Sequence, residues 1–195
     1  MSTWSQTTKQ MYTGVLVYSL CGVAKSIVDP ITGAAKLAKA FSGSSASAGP
    51  GVLSILLSIA IICGYVYFFL GLKEFRNVVN ENDAPAVKNV YTATILSIVA
   101  YVCGCIPFLG LVGKIVALVS FILMLMGFNA LKKSATFPAL ACKGASMLFT
   151  AMILSIVGVV LGWIPLIGGI LGAIINVVGF ILTILGWGKI SKAEA

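Results

Sequence analysis

The stretch that decides the fold is Ile153–Gly168, "ILSIVGVVLGWIPLIG", read beside Ile95–Gly110, "ILSIVAYVCGCIPFLG". Both are apolar runs that end in Ile-Pro-x-x-Gly, and they stand about 58 residues apart. The likeness continues beyond the corner. After a one-residue insertion, "FILMLMGFNALKKSA" from Phe121 matches "FILTILGWGKISKAE" from Phe180. Each repeat therefore reads as helix, corner, helix, with lysines at the exit. The match points to a tandem duplication of a helical hairpin.

Composition says what surrounds these helices. The 195-residue chain is 59% hydrophobic and 9% charged, with a mean hydropathy of +1.09. A water-exposed domain carries about 25% charged residues, so this surface faces lipid. Crossing the hydrocarbon takes about 20 apolar residues in a helix. Six runs meet that need, near 11–28, 52–72, 90–106, 111–131, 145–164 and 169–188. The alternating ten-residue pattern of a membrane barrel does not occur. The expected fold is all-α: a polytopic helical membrane protein of about six transmembrane helices in tandem hairpins. Four parts are expected: 1–51, a span with a short basic amphipathic segment and a Gly/Ser linker; 52–89, a span and a charged loop; 90–144, the first repeat; and 145–195, the second.

Proline lacks a backbone donor and stops a helix, and glycine tolerates a left-handed turn. Pro107 with Gly110, and Pro165 with Gly168, are accordingly the expected hairpin corners. Surface turns are one reading of them; re-entrant turns, whose freed backbone groups would need protein partners, are the other. Asp29-Pro30-Ile31-Thr32-Gly33 has the same spacing, and "FFLGLKEF" at 68–75 resembles the exit "LMGFNALKK" at 125–133. A third, degenerate hairpin is the reading they suggest. The competing reading takes "LLSIAIICG" at 56–64 as the first helix of a unit and leaves five spans. Between these stretches lie "AAKLAKAF", suited to rest on lipid headgroups, and the flexible linker "SGSSASAGPG".

Lipid does not drive helices together as water does, so close approach through small residues matters. Ala100 and Gly104 in one repeat match Gly158 and Gly162 in the other, and Gly172 follows Gly168 by one turn. These are the expected packing positions, between hairpins or between copies of the chain. Ser97 and Ser155 are equivalent and suited to interhelical bonds. Asn176 lies in mid-span, either bonded to another helix or lining a narrow polar path. Lys114 can snorkel to the surface. Trp163, Trp187, Tyr91, Phe128 and Trp4 are placed as an interfacial aromatic belt would be.

Chemistry is sparse. There is no histidine, and the five acids, Asp29, Glu74, Glu81, Asp83 and Glu194, lie outside the six runs. Ion-coupled carriers and pumps generally need buried ionisable groups, and general acid–base catalysis needs a pair of them. "GLVGK" at 110–114 lacks the spacing and the Ser/Thr of a phosphate loop. Cys103 and Cys105, two apart on a helix, point away from each other and suit neither a disulfide nor zinc. No enzyme, metal or cofactor is expected. Net charge is +8, but the basic residues flank apolar runs singly or in pairs, which fits membrane orientation and not nucleic acid.

Lys9, Lys73, Arg76, Lys88, Lys132, Lys133, Lys143, Lys189 and Lys192 fall on one side; Lys25, Lys36, Lys39 and Lys114 fall on the other. That imbalance puts both termini in the cytoplasm. The expected location is a bacterial inner (cytoplasmic) membrane. The charged loop 73–89 is the expected contact for a soluble partner. Function is expected to be that of a non-enzymatic membrane subunit or scaffold. It would self-associate as a homo-oligomer, or bind a membrane-protein partner, through small-residue faces, with lipid as its other neighbour. A small passive channel or carrier is the alternative.

Overall fold

The computed structural model describes residues 3–41, 52–161, 164 and 168–194. They form six long helices and no strand: α1 (Trp4–Phe41), α2 (Val52–Val78), α3 (Ala84–Cys105), α4 (Gly110–Leu131), α5 (Ala139–Leu161) and α6 (Gly168–Ser191). Each contains a stretch long and apolar enough to cross a bilayer. The helices pair in chain order, α1 with α2, α3 with α4 and α5 with α6, so three hairpins make the molecule. Contact between hairpins is lighter, mainly α1 with α6 and α4 with α5.

The pairing follows from glycine. A Cβ on Gly127 of α4 would meet the Ala86 carbonyl and the Val90 side chain of α3. A Cβ on Gly186 of α6 would meet the Gly144 carbonyl and Leu148 of α5. These partners stand at the offset, about 58 residues, that relates the two quoted stretches. In the first hairpin Gly71 of α2 sits on Met11 of α1 in the same manner, 2.8 Å from its Cγ by the same construction. The absence of a side chain lets each second helix lie against the backbone of the first, where dispersion and local polar contacts replace the hydrophobic drive that lipid removes.

Small residues expected to join hairpins to one another or to other copies instead join helices within a hairpin. Gly113 packs on the backbone of Ala100 and Gly104 across the second hairpin: a Cβ added to it would lie 2.9 Å from the Ala100 carbonyl and 3.1 Å from the Gly104 nitrogen, although a Cβ on Gly104 itself would meet open space. Gly158 faces Ile175, and Gly172 faces the Gly158 carbonyl, in the third. The cause is geometric: a short corner brings its two flanking helices together before any other surface can compete. Gly162 lies outside the described residues.

The observed corner at 106–110 differs from expectation in one respect. Ile106 is extended (φ −98°, ψ 122°), Pro107–Leu109 form a single 3-10 turn, and Gly110 is already helical at φ −58°. No left-handed residue reverses the chain there. Proline at the first position of the 3-10 turn, where no donor is required, does the work. Phe108 is 99% exposed at the tip. In the third hairpin Gly168 opens α6, and Pro165 lies outside the described residues.

The third corner expected at Asp29–Gly33 does not form. α1 continues through Pro30 and Gly33 to Phe41. A proline removes one helical bond, but the following Ala34-Ala35-Lys36-Leu37-Ala38-Lys39-Ala40 is built of strong helix formers, which carry the helix on. The basic segment is thus the end of α1, not a separate helix. It adds about 18 Å beyond Asp29 at 1.5 Å per residue. The α1–α2 hairpin exists nonetheless, and the five-span alternative fails. The linker at 42–51 lies outside the described residues.

The buried core gathers at the end of the bundle that carries both termini and the loops 79–83 and 132–138. It includes Trp4, Met11, Leu72, Val87, Phe128, Phe137, Leu148, Trp187 and Ile190. Toward the corners the outer faces are aliphatic and open, as at Val52, Leu111 and Val159. Such surface suits acyl chains and would be untenable in water. At the terminal end Arg76 lies over the Tyr91 ring at 4.6 Å, and Lys132 over the Phe149 ring at 3.3 Å. Basic side chains there also complement the carboxyl ends of α2, α4 and α6.

Candidate functional site: a central chamber

Three hairpins that converge at one end leave space between them at the other. That space is a chamber of about 520 Å³, lined from all three hairpins. Its floor, on the terminal side, is aromatic. The Trp187 ring of α6 stands edge-on to Phe68 of α2 at 5.2 Å and to Phe128 of α4 at 6.0 Å. Below lies a second tier, where Trp4 meets Phe75 at 5.0 Å and Phe137 at 5.5 Å. The gap between tiers, bounded by Leu72, Val87, Phe128, Phe137 and Trp187, holds only about 10 Å³. A water molecule needs at least that much together with polar partners, so the floor is dry and the chamber is blind at this end.

The expected interfacial belt is corrected here. Trp187, Phe128 and Trp4 are 5%, 4% and 8% exposed and point into the bundle. Tyr91 stacks on Phe69 beneath Arg76. An aromatic near a span end satisfies a sequence reading of either kind, and only the helix rotation distinguishes them. Trp163 lies outside the described residues.

The chamber walls are apolar with polar, uncharged groups set into them: Thr94 and Ser97 on α3, Ser155 on α5, Asn176 and Thr183 on α6, Tyr65 on α2 and Tyr18 on α1. The serine and threonine hydroxyl protons are committed. Thr94 donates to the Val90 carbonyl at 2.8 Å, Ser155 to Met152 at 2.7 Å, and Thr183 to Gly179 at 2.8 Å. Each bond lies within the residue's own helix, the usual recourse of a hydroxyl in a membrane span. Ser97 differs. Ser120 on α4 gives its proton to the Ala93 carbonyl at 2.6 Å, so Ser97, 2.7 Å from Ser120 Oγ, is the donor to it. A hydroxyl oxygen that has donated its proton still has lone pairs to accept with. These serines and threonines are therefore acceptors, whereas the Tyr18 and Tyr65 phenols and the Asn176 amide can also donate.

Ser155 occupies the place equivalent to Ser97 but makes no interhelical bond. At the offset that relates the hairpins, Ser120 is matched by Gly179, which has no hydroxyl. An added Cβ on Gly179 would lie 3.8 Å from the Ala151 carbonyl, the counterpart of Ala93. The Ser-Ser clasp in the second hairpin is thus replaced by a bare glycine in the third, and the freed space belongs to the chamber.

Asn176 stands on the chamber wall beside Ile175 and Gly179. Among the described residues, none donates to or accepts from its side-chain amide. The expected interhelical bond is not formed among the described residues. Lys114 does not reach the chamber. It lines a neighbouring groove with Ala100, Tyr101, Gly104 and Gly113 that runs from the corner of the second hairpin and shares Ser97 and Met124 with the chamber. Of the loop 73–89 expected to meet a partner, Asp83 is buried and accepts a hydrogen bond from Thr136 at 2.8 Å. That contact ties the loop to its neighbour at 132–138.

Sequence reading found Ser97, Ser155 and Asn176 but missed Tyr65, Thr94, Thr183 and the aromatic floor. The signal for the floor was present: an aromatic residue follows a glycine in both of the aligned stretches, Phe128 and Trp187. Comparison with protein-family models, with curated proteins and with solved structures gave no match.

Proposed function

We propose that this multi-pass membrane protein is a non-enzymatic binding protein whose working part is the blind chamber between the hairpins. The observation that carries the reading is the chamber itself. Its volume of about 520 Å³ falls within the roughly 300–1,000 Å³ usual for small-ligand sites. It combines apolar walls with a few convergent polar groups, and its floor is sealed. The passive-carrier alternative shares this chamber, but a solute could cross only if the Phe68, Phe128 and Trp187 rings parted. The subunit or scaffold reading loses its main support, because most of the small residues on which it drew are engaged within hairpins. It keeps Gly22 and Gly104, whose added Cβ atoms would meet nothing within 4 Å, as open small-residue positions for a helix of another chain.

The duplication of the hairpin belongs to the same reading. It is supported by the matching contacts of Gly127 and Gly186. The basic-residue imbalance supports termini on the cytoplasmic side. That would open the chamber away from the cytoplasm, toward the corner side.

The test is purification in mild detergent from a native membrane, followed by native mass spectrometry. The expected species is a monomer near 20.3 kDa retaining a small-molecule adduct. Thr183→Trp, which fills the chamber from a wall position, should remove the adduct. A bare protein in both cases would refute the binding reading, and a uniform higher-order mass without adduct would favour the scaffold.

A further inference from the structure

We infer that the chamber is built for an uncharged lipid alcohol drawn from the bilayer, a diacylglycerol-like molecule, with Asn176 as the group that holds its hydroxyl. This inference rests on the binding reading above and adds the chemical class of the ligand.

Three observations lead to it. First, among the described residues no charged side chain lines the chamber. A carboxylate or phosphate placed there would lack a cation, and an ammonium would lack an anion. Burying an unpaired charge is far costlier than burying a neutral polar group. Second, the wall hydroxyls of Thr94, Ser97, Ser155 and Thr183 have given their protons to helix carbonyls or to Ser120. They offer lone pairs to a donor, while the Tyr18 and Tyr65 phenols, the latter only 3.4 Å from the Thr94 carbonyl, can donate to an acceptor, so the complementary ligand brings both. A hydroxyl does so without bringing charge. Third, Asn176 is an amide without a partner among the described residues. Its side chain is exposed, so the amide is open to an incoming ligand. It can donate to the ligand oxygen through its nitrogen and accept the ligand proton through its oxygen.

The apolar remainder of the ligand has somewhere to go. The groove that shares Ser97 and Met124 with the chamber is walled by Ala100, Tyr101, Gly104, Gly113 and Phe121. Its volume is about 510 Å³, and it leads to the corner of the second hairpin. Small residues there leave room for an acyl chain lying along α3 and α4. Lys114 marks the outer end of that groove, away from the chamber. An anionic lipid would therefore stop at Lys114, whereas a neutral one can enter.

The experiment uses the full chain in phosphatidylcholine nanodiscs with two photoreactive probes of identical acyl chains, one a diacylglycerol and one a phosphatidic acid. Cross-linked peptides are mapped by mass spectrometry. The diacylglycerol probe is expected to label the chamber segments 148–155 and 175–187 at least about tenfold more than the phosphatidic acid. Asn176→Leu, close in volume, should lower that labelling about tenfold, the effect of losing one hydrogen bond of about 1.4 kcal/mol. Thr183→Val, which removes one acceptor and keeps the shape, should lower it less. Phosphatidic acid labelling confined to the groove beside Lys114 supports the proposal. Equal chamber labelling by both probes, or labelling indifferent to Asn176→Leu, overturns the ligand class and leaves the chamber as a binding site. Labelling scattered over the outer faces with none in the chamber overturns both readings.

Discussion

Gly144 and Gly186 face each other across the third hairpin so closely that a methyl group on either would press into the other's carbonyl oxygen. Gly158 against Ile175 continues the same contact toward the corner. Among the described residues, no ion pair joins α5 to α6.

Packing at that crossing predicts the first result. Gly186→Val should push α6 off α5 and lower stability by about 1–3 kcal/mol, the usual effect of overpacking a tight site. Gly127→Val should do the same to the second hairpin, where the obstacles are the Ala86 carbonyl and Val90. Gly22→Ala, with open space around it, should be neutral. Thermal unfolding of the three variants in one detergent measures the contrast.

The serine clasp gives a second prediction. Ser120→Ala removes two interhelical bonds, to Ala93 and from Ser97. At about 0.6 kcal/mol for each such bond, the second hairpin should lose about 1 kcal/mol. Ser155→Ala removes only a bond within its own helix and should leave stability unchanged. Titration with a denaturing detergent, read by helix content, distinguishes the pair.

Membrane sidedness supplies a third. Phe108 and Ile164 lie at the corner end, while Asn80 and Ser134 lie in loops at the terminal end. In a chain cleared of its native cysteines, Phe108→Cys and Ile164→Cys should react with an impermeant thiol reagent from the same side. Asn80→Cys and Ser134→Cys should react from the opposite side. Labelling of Phe108→Cys and Ile164→Cys from opposite faces would dismantle the three-hairpin arrangement.

The aromatic floor yields the fourth. Trp187→Ala deletes the ring that touches both Phe68 and Phe128. The cavity left should lower stability by about 3–5 kcal/mol. If the protein survives in lipid, its chamber would lose its seal, and small neutral solutes should leak across liposomes that the native protein leaves tight. Trp187→Phe should restore most of the seal.

How far the sequence could be read depended on which physical rule governed each part. The spans were visible because crossing a bilayer demands length and hydropathy, and both are local. Boundaries were read too short where polar residues join a span. Trp4–Gln10 continues α1 because Thr7 and Thr8 satisfy their hydroxyls on the Thr3 and Trp4 carbonyls. The corner at Pro107 was legible, whereas Pro30 was misread because helix formers on its far side outweigh one lost bond.

The amino-acid sequence by itself determined that the chain would be a set of apolar helices fit to cross a bilayer, that the last four of them would pair as hairpins, and that ionisable groups would be scarce within the spans. Those features depend on residue type and spacing along the chain. Tertiary structure alone decided which side of each helix meets which neighbour. It directed Trp187 and Phe128 inward instead of toward the interface, put Ser97 against Ser120 while leaving Ser155 alone, and set Asn176 on a chamber wall. Helices this uniformly apolar carry no polar face to announce their rotation. The rotation is fixed by where a missing side chain lets two backbones touch, and that becomes visible only when the helices are seen together.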